Sequence, residues 1–291
     1  MMTSLSRRFA RHRQCFMRCL LVFSLVCFSA TSAATSIKVW GAPDAALQAL
    51  RLTQPDLQWV SDSAATPADV QLHIAWQQDA YRHALASSSR APILVLSQQA
   101  LVTGRLRSQD SALIWGAPLA QQVQLVRRLM PLAKRIGVLY REALRSDDAL
   151  LLTSAASTST GVQIVPLPVE APLTARVIAE AAEQVDVLIA SNDDSLFNRD
   201  TAKLVLLTAY RHQRVVVGPT PAFVSAGAVA TQAVPKAALI AAIKARVLHW
   251  QGTGHLGESQ AITRFAPVIN SQVARSLGVV VPPDILREAQ P

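Results

Sequence analysis

Past residue 27 the 291-residue sequence has no cysteine, since Cys15, Cys19 and Cys27 are its only three. A chain that lacks them from Phe28 onward has no disulfide framework and no Cys-ligated zinc there. Charge is also scarce: Asp, Glu, Lys and Arg make up 16% of the residues, against roughly 25% in an average soluble protein. Aromatic residues are only 5%, whereas 51% of the chain is hydrophobic. Such a composition excludes a disordered or collagenous chain and fits a well-buried globular one. No stretch after residue 35 is apolar for 18 residues running, so no membrane-spanning helix is expected there. P-loop, Gly-x-Ser-x-Gly and His-Glu-x-x-His patterns are missing, and His73, His83, His212, His249 and His255 have no metal-ligand spacing. Neither an enzyme site nor a cofactor site can be assembled from the sequence, and the expectation is a protein without a catalytic step and without a cofactor.

The formal charge of +9 suggests an acidic partner until its position is read. Arg7, Arg8, Arg11, Arg13 and Arg18 all lie before residue 35, where no acidic residue occurs. Removing these five leaves 23 basic residues against 19 acidic ones, a balance of +4 with no long basic run, so nucleic-acid binding is not expected. The same region is ordered as an export signal: the arginines come first, then the apolar run Leu20–Phe28, then small residues from Ser29 to Ala34. An apolar run of about ten residues is too short to span a bilayer, for which roughly 20 are needed. Residues 1–34 therefore read as a signal peptide cleaved after Ala33 or Ala34, and the body as a periplasmic protein. Val26 in front of Cys27 disfavours a lipid-anchored cysteine.

From Ser36 onward, short apolar runs alternate with helical patterns. Ile37–Trp40, Val70–Ala75, Pro92–Ser97 and Ala112–Trp115 read as strands, with helices over Ala45–Leu52 and Gln78–Ala86. Pro118–Met130 carries Leu119, Val123, Val126 and Met130 on one face, with proline in its first turn. A second series follows, with strands at Ile136–Tyr140, Val162–Val165, Val185–Ala190, Val215–Val217 and Ala228–Thr231. Then come a helix over Lys236–Trp250, a strand-like run Ala261–Phe265 and a short helix before Pro282-Pro283. Near-continuous apolar strands separated by helices imply parallel sheets covered on both faces. Two such series imply two Rossmann-like α/β lobes: residues 35–131 with about 233–260 returning to them, and 132–232 with the tail 261–291.

Gly252-Thr253-Gly254-His255-Leu256-Gly257 has the letters of a dinucleotide fingerprint. It follows a helix and precedes a strand, which is the wrong order for a pyrophosphate turn, so it reads as a helix C-terminal loop. Ligands of open α/β sheets bind beyond the carboxyl ends of strands, and the residues placed there are Trp40, Trp76, Gln77, Ser97, Gln98, Tyr140, Asn192, Asp193 and Thr220. The aromatic faces suit an apolar or cationic small molecule, or alternatively pack the lobes together. Gln77, Ser97, Gln98 and Thr220 offer neutral hydrogen bonds. In the Asn192-Asp193-Asp194 loop a carboxylate could hold a ligand ammonium, or the acids could instead cap the helix around Phe197–Gln213.

Leu125–Tyr140, ending in Pro-Leu-Ala-Lys-Arg-Ile-Gly-Val-Leu-Tyr, is similar to the middle motif of the ABC-transporter substrate-binding proteins related to tryptophan and tyrosine binders. The resemblance continues through Val185–Ile189, the Asn192-Asp193 loop, Val215–Gly218, Ala226–Ala228, Val268–Asn270, Leu277-Gly278-Val279 and Pro282-Pro283. It implies a type I periplasmic-binding-protein fold whose lobes close over a small organic solute, amino-acid-like or aromatic, for delivery to an inner-membrane ABC permease. The same scaffold also suits a sensory or accessory protein that regulates a membrane sensor or receptor. In the first lobe the chain departs from the family pattern: Trp76-Gln77 replaces Gly-Thr and Ser97-Gln98-Gln99 replaces an Asp-Pro turn. Gln232–Pro235 likewise lacks the usual Asp and Gly.

Overall fold

The computed structural model describes residues 35–61, 63–64, 69–87, 89–98, 106–141, 162–169, 172–193 and 196–289. The signal-like segment 1–34 and Asp194 lie outside them.

The first apolar series forms strands β1 (Ser36–Trp40), β2 (Gln58–Ser61), β3 (Leu72–Trp76), β4 (Ile93–Ser97) and β5 (Ser111–Ile114), joined late in the chain by β11 (Gln260–Ala261). Their order is β11-β5-β4-β3-β1-β2, and every pairing is parallel. Side chains alternate across a strand, so Ile37, Val39, Leu72, Ile74, Leu94 and Leu96 share one face. There they pack on helices α1 (Asp44–Thr53) and α7 (Lys236–Thr253) through Leu47, Leu50, Leu239, Ile243 and Val247. The opposite face sets Ala75, Ile93 and Val95 against Ala80, Tyr81 and Ala84 of α2 (Gln77–Ala86).

The second sheet has the order β12-β10-β9-β8-β6-β7. Its strands are β6 (Arg135–Tyr140), β7 (Gln163–Pro168), β8 (Val187–Ala190), β9 (Val215–Val217), β10 (Ala230–Ala233) and β12 (Ala266–Ile269). One face packs on α4 (Ala175–Gln184), α5 (Arg199–Arg211) and α6 (Pro221–Ala226). The other carries α3 (Leu119–Leu129), whose Leu125, Val126 and Leu129 pack with Ile136, Val138, Val187 and Val217. Ala274 of α8 (Ser271–Ser276) and Ile285 of α9 (Pro283–Glu288) complete that layer.

The chain therefore leaves the first sheet ahead of α3, at residues 115–118. It returns between β10 and α7 and crosses again between β11 and β12. Two expectations need correction here. The strand-like run Ala261–Phe265 is a strand only at Ala261, and Ile262–Phe265 form the last crossing. The edge strand that follows, β12, runs antiparallel to β10 and contains Pro267, which an edge tolerates because only one side of it must donate to a neighbour. The expected final Pro282-Pro283 opens a helix, with Pro283 in its first turn where no intrahelical N–H is needed. The glycine-rich run does form a helix end: Gly254 adopts φ 76° and its N–H reaches the Trp250 carbonyl at 2.7 Å.

Candidate ligand-binding site

Parallel strands present all their carboxyl ends on one edge of a sheet. In the first sheet that edge holds Trp40, Trp76, Ser97-Gln98 and Trp115; in the second it holds Tyr140, Ser191–Asp193, Gly218–Thr220 and the end of β10. The two edges meet at Gly116. A Cβ built there would lie 2.0 Å from the Gln98 carbonyl oxygen and 2.9 Å from Asn192 Nδ2. Asn192 Nδ2 donates to the Ala117 carbonyl at 3.0 Å. A loop of the second sheet is thus fastened to the first crossing, with Gln98 of the first sheet directly beside it.

At these strand ends, polar side-chain atoms sit buried without a protein partner. Among the described residues they include Gln98 Oε1, Trp115 Nε1, Ser191 Oγ and Gln232 Oε1. Each lies in or just past the carboxyl end of a different strand, β4, β5, β8 and β10. Buried polar atoms are ordinarily paired, so these unpaired ones have hydrogen-bonding capacity left over at the strand-end edges. Of the four, the sequence reading placed only Gln98. Trp115 and Ser191 also follow strands, and Gln232 lies inside β10, which extends past the expected end at Thr231.

Gln232 is held from behind by a residue on α3. The buried Gln122 accepts the Gln232 N–H at Oε1 (3.0 Å) and donates through Nε2 to Thr231 Oγ1 (3.2 Å) and the Gln232 carbonyl (3.3 Å). One amide thus fixes the backbone that carries a lining side chain.

The other expected residues divide. Trp76 leaves β3 on the α1/α7 face and packs against that core, as does Trp115. Gln77 follows at φ 80°, a conformation unfavourable for a residue with a side chain. Ser97 is buried, and its carbonyl accepts the Trp115 N–H at 2.9 Å. Tyr140 is half-buried beside Arg141 at the end of β6. Thr220 caps α6, its Oγ1 accepting from Phe223 N–H at 3.3 Å. Asp193 is 4% exposed and its carbonyl accepts the N–H groups of Leu196 and Phe197. The N-cap of α5 is Asn198, whose side chain accepts from Asp200 and Thr201 N–H while the Thr201 hydroxyl accepts from Asn198 N–H. The N-cap position of α5 is thus filled by Asn198, five residues beyond Asp193.

Trp40 lies on the other face of its sheet. It leaves β1 on the α2 face and packs with the core there, whereas Trp76 is on the opposite face. Its indole N–H donates to His73 Nδ1 at 3.0 Å. His73 is pushed down to about 4, first by burial and then by the positive charges of Arg107 and Lys38. No group of three or more His, Cys, Asp or Glu side chains among the described residues could hold a metal ion, and no helix among them is long and apolar enough to cross a membrane.

Residues 101–291 match the model of a family described as ABC transporter substrate binding protein. No curated protein matches the chain. Several solved structures share its architecture. A conserved domain protein from Vibrio cholerae is 18% identical, with 88% of this chain and 98% of that one covered at a TM-score of 0.63. The ABC domain in complex with L-Trp from Streptococcus pneumoniae is 16% identical, covering 88% and 99% at 0.64. The ligand-free, open structure of a substrate-binding protein with adhesive properties from Clostridium difficile is 15% identical, covering 88% and 98% at 0.65. At these identities the likeness is one of fold.

Proposed function

Because the chain belongs to the ABC transporter substrate-binding protein family and has the type I periplasmic-binding-protein fold, we propose that it holds one small organic solute between the strand ends of its two sheets for delivery to an ABC permease. The observation that carries this reading is the set of buried, partnerless polar atoms of Gln98, Trp115, Ser191 and Gln232 in or just past the carboxyl ends of strands of both sheets. The ligand class is amino-acid-like or aromatic. Trp76, Trp115 and Tyr140 offer ring faces, Gln77, Gln98 and Gln232 offer neutral amides, and Asp193 offers a carboxylate to an ammonium group. That one structural neighbour was solved with L-Trp supports this class. The protein performs no catalytic step, and it acts in the periplasm after loss of residues 1–34.

The moving bodies are the two sheets with their helices, and the crossings at 115–118, 234–235 and 262–265 are the hinge. Ligand shifts the population toward a closed form by binding it more tightly than the open one. Thermal-shift screening of residues 35–291 against pools of amino acids and aromatic solutes tests the reading. One chemical class should raise the midpoint, and Trp76→Ala and Asp193→Ala should each lose that rise while remaining folded. If both variants respond as the parent does, the site is elsewhere. If no pool acts on the parent, the rival reading, a ligand-independent regulator of a membrane partner, takes its place.

A further inference from the structure

On the α2 side of the first sheet, polar residues occupy positions where the neighbouring strands carry apolar ones. Ser36, Lys38 and Trp40 alternate along β1, and Lys38 pairs in register with His73 of β3, so their side chains leave the same face. Ser36 and His73 are fully buried, and Lys38 is 1% exposed. The Lys38 ammonium donates to the Ala64 carbonyl at 2.6 Å and sits 4.7 Å from the centre of the Trp40 ring. The ion pairs among the described residues do not include it. A buried ammonium with one carbonyl and one ring face for company lacks a counter-charge among the described residues. Arg107, the other positive charge acting on His73, differs in being neutralised by Asp110 through paired contacts at 2.7 and 2.9 Å.

The state of His73 follows from its neighbour. An indole N–H only donates, so the Nδ1 that receives it carries no proton, and the neutral ring holds its proton on Nε2. That Nε2–H has no acceptor, and neither does the Ser36 hydroxyl. Three donors, one of them charged, therefore lie on adjacent positions of one buried sheet face.

We propose that this face is a binding site for a small monoanion, a halide or a short carboxylate such as formate, held by the Lys38 ammonium, the His73 Nε2–H and the Ser36 hydroxyl. The near-complete burial of all three donors restricts the occupant to a small ion. A metal cation is excluded by Lys38 and by the engagement of Nδ1 with Trp40. A water would satisfy the imidazole but leave the ammonium without a counter-charge. This site is separate from the strand-end junction and does not depend on what binds there.

Crystals of residues 35–291 grown in sodium bromide, with anomalous data collected at the bromine edge, test the site without any substitution. The expected result is a bromide peak at about 3.3 Å from both Lys38 Nζ and His73 Nε2. In solution the thermal midpoint should rise saturably with bromide at constant ionic strength, and Ser36→Ala, which keeps the sheet intact, should weaken that response by about five- to tenfold. No peak at this position, a water in its place, or a bromide response that Ser36→Ala leaves unchanged overturns the proposal.

Discussion

Gly116 has no room for even one more carbon. A methyl group would lie 2.0 Å from a backbone oxygen of Gln98, and a carbonyl fixed in the strand-end turn cannot swing aside. Gly116→Ala should cost about 3 kcal/mol by overpacking, measured by denaturant unfolding, and should separate the Asn192 loop from the crossing. Gln77 presents the converse case: its φ of 80° is one that glycine adopts freely. After allowing for the greater chain entropy of glycine, Gln77→Gly should stabilise the protein by roughly 0.5 kcal/mol while removing an amide from the site. An unchanged or lower midpoint contradicts that account. His73 makes a pH prediction. Its folded pKa of about 4 lies below its ordinary 6.5, so the unfolded chain binds the extra proton between those values. Stability from this group is complete above pH 6.5 and is lost as the pH falls through 4, by about 3 kcal/mol. Burial sets it first, the positive charges of Arg107 and Lys38 lower it further, and Asp110 opposes them. Comparing the parent with His73→Gln across that window isolates the effect, and equal slopes would contradict it.

The α3 helix shows what could and could not be read in the chain. Its apolar stripe and proline start were plain from spacing, but a stripe does not say which sheet it faces; Leu125 and Val126 pack under the second one. What ties it to β10 is Gln122, a buried polar residue among apolar neighbours. Gln122→Leu should leave the Gln232 N–H without its acceptor, the Thr231 hydroxyl keeping its own bond to the Gln232 carbonyl, and cost about 2–3 kcal/mol; it should also weaken ligand binding through Gln232, so a destabilised variant with unchanged affinity would sever that link. The apolar strands β1, β3, β4, β6, β8 and β9 were legible because burial on both faces demands continuous hydrophobicity. The edge strands β2 and β12 were not, since Gln58–Ser61 is of mixed polarity and Ala266–Ile269 contains proline. The site was legible as a set of strand ends but not as a set of directions. Trp40 and Trp76 looked equivalent, yet strand parity sends Trp40 out beside Lys38 and Trp76 out beside Leu72 and Ile74. That parity was the available signal. Ser191 and Trp115 gave none beyond following a strand.

Two α/β sheets are joined by crossings and meet at one glycine, and the proposed function requires both edges to contribute if a ligand is to be enclosed. The contact of Asn192 with Ala117 is where the second sheet grips the first crossing, so the account locates ligand recognition and relative movement of the sheets at the same junction. The measurement that tests this most directly is native mass spectrometry of the protein purified from the periplasm without refolding, followed by release and identification of anything bound. The account predicts a chain lacking residues 1–34 with one small organic molecule per protein, amino-acid-like or aromatic, and loss of that molecule in Asp193→Ala. A bare chain that also fails to take up any solute from a periplasmic extract would contradict it.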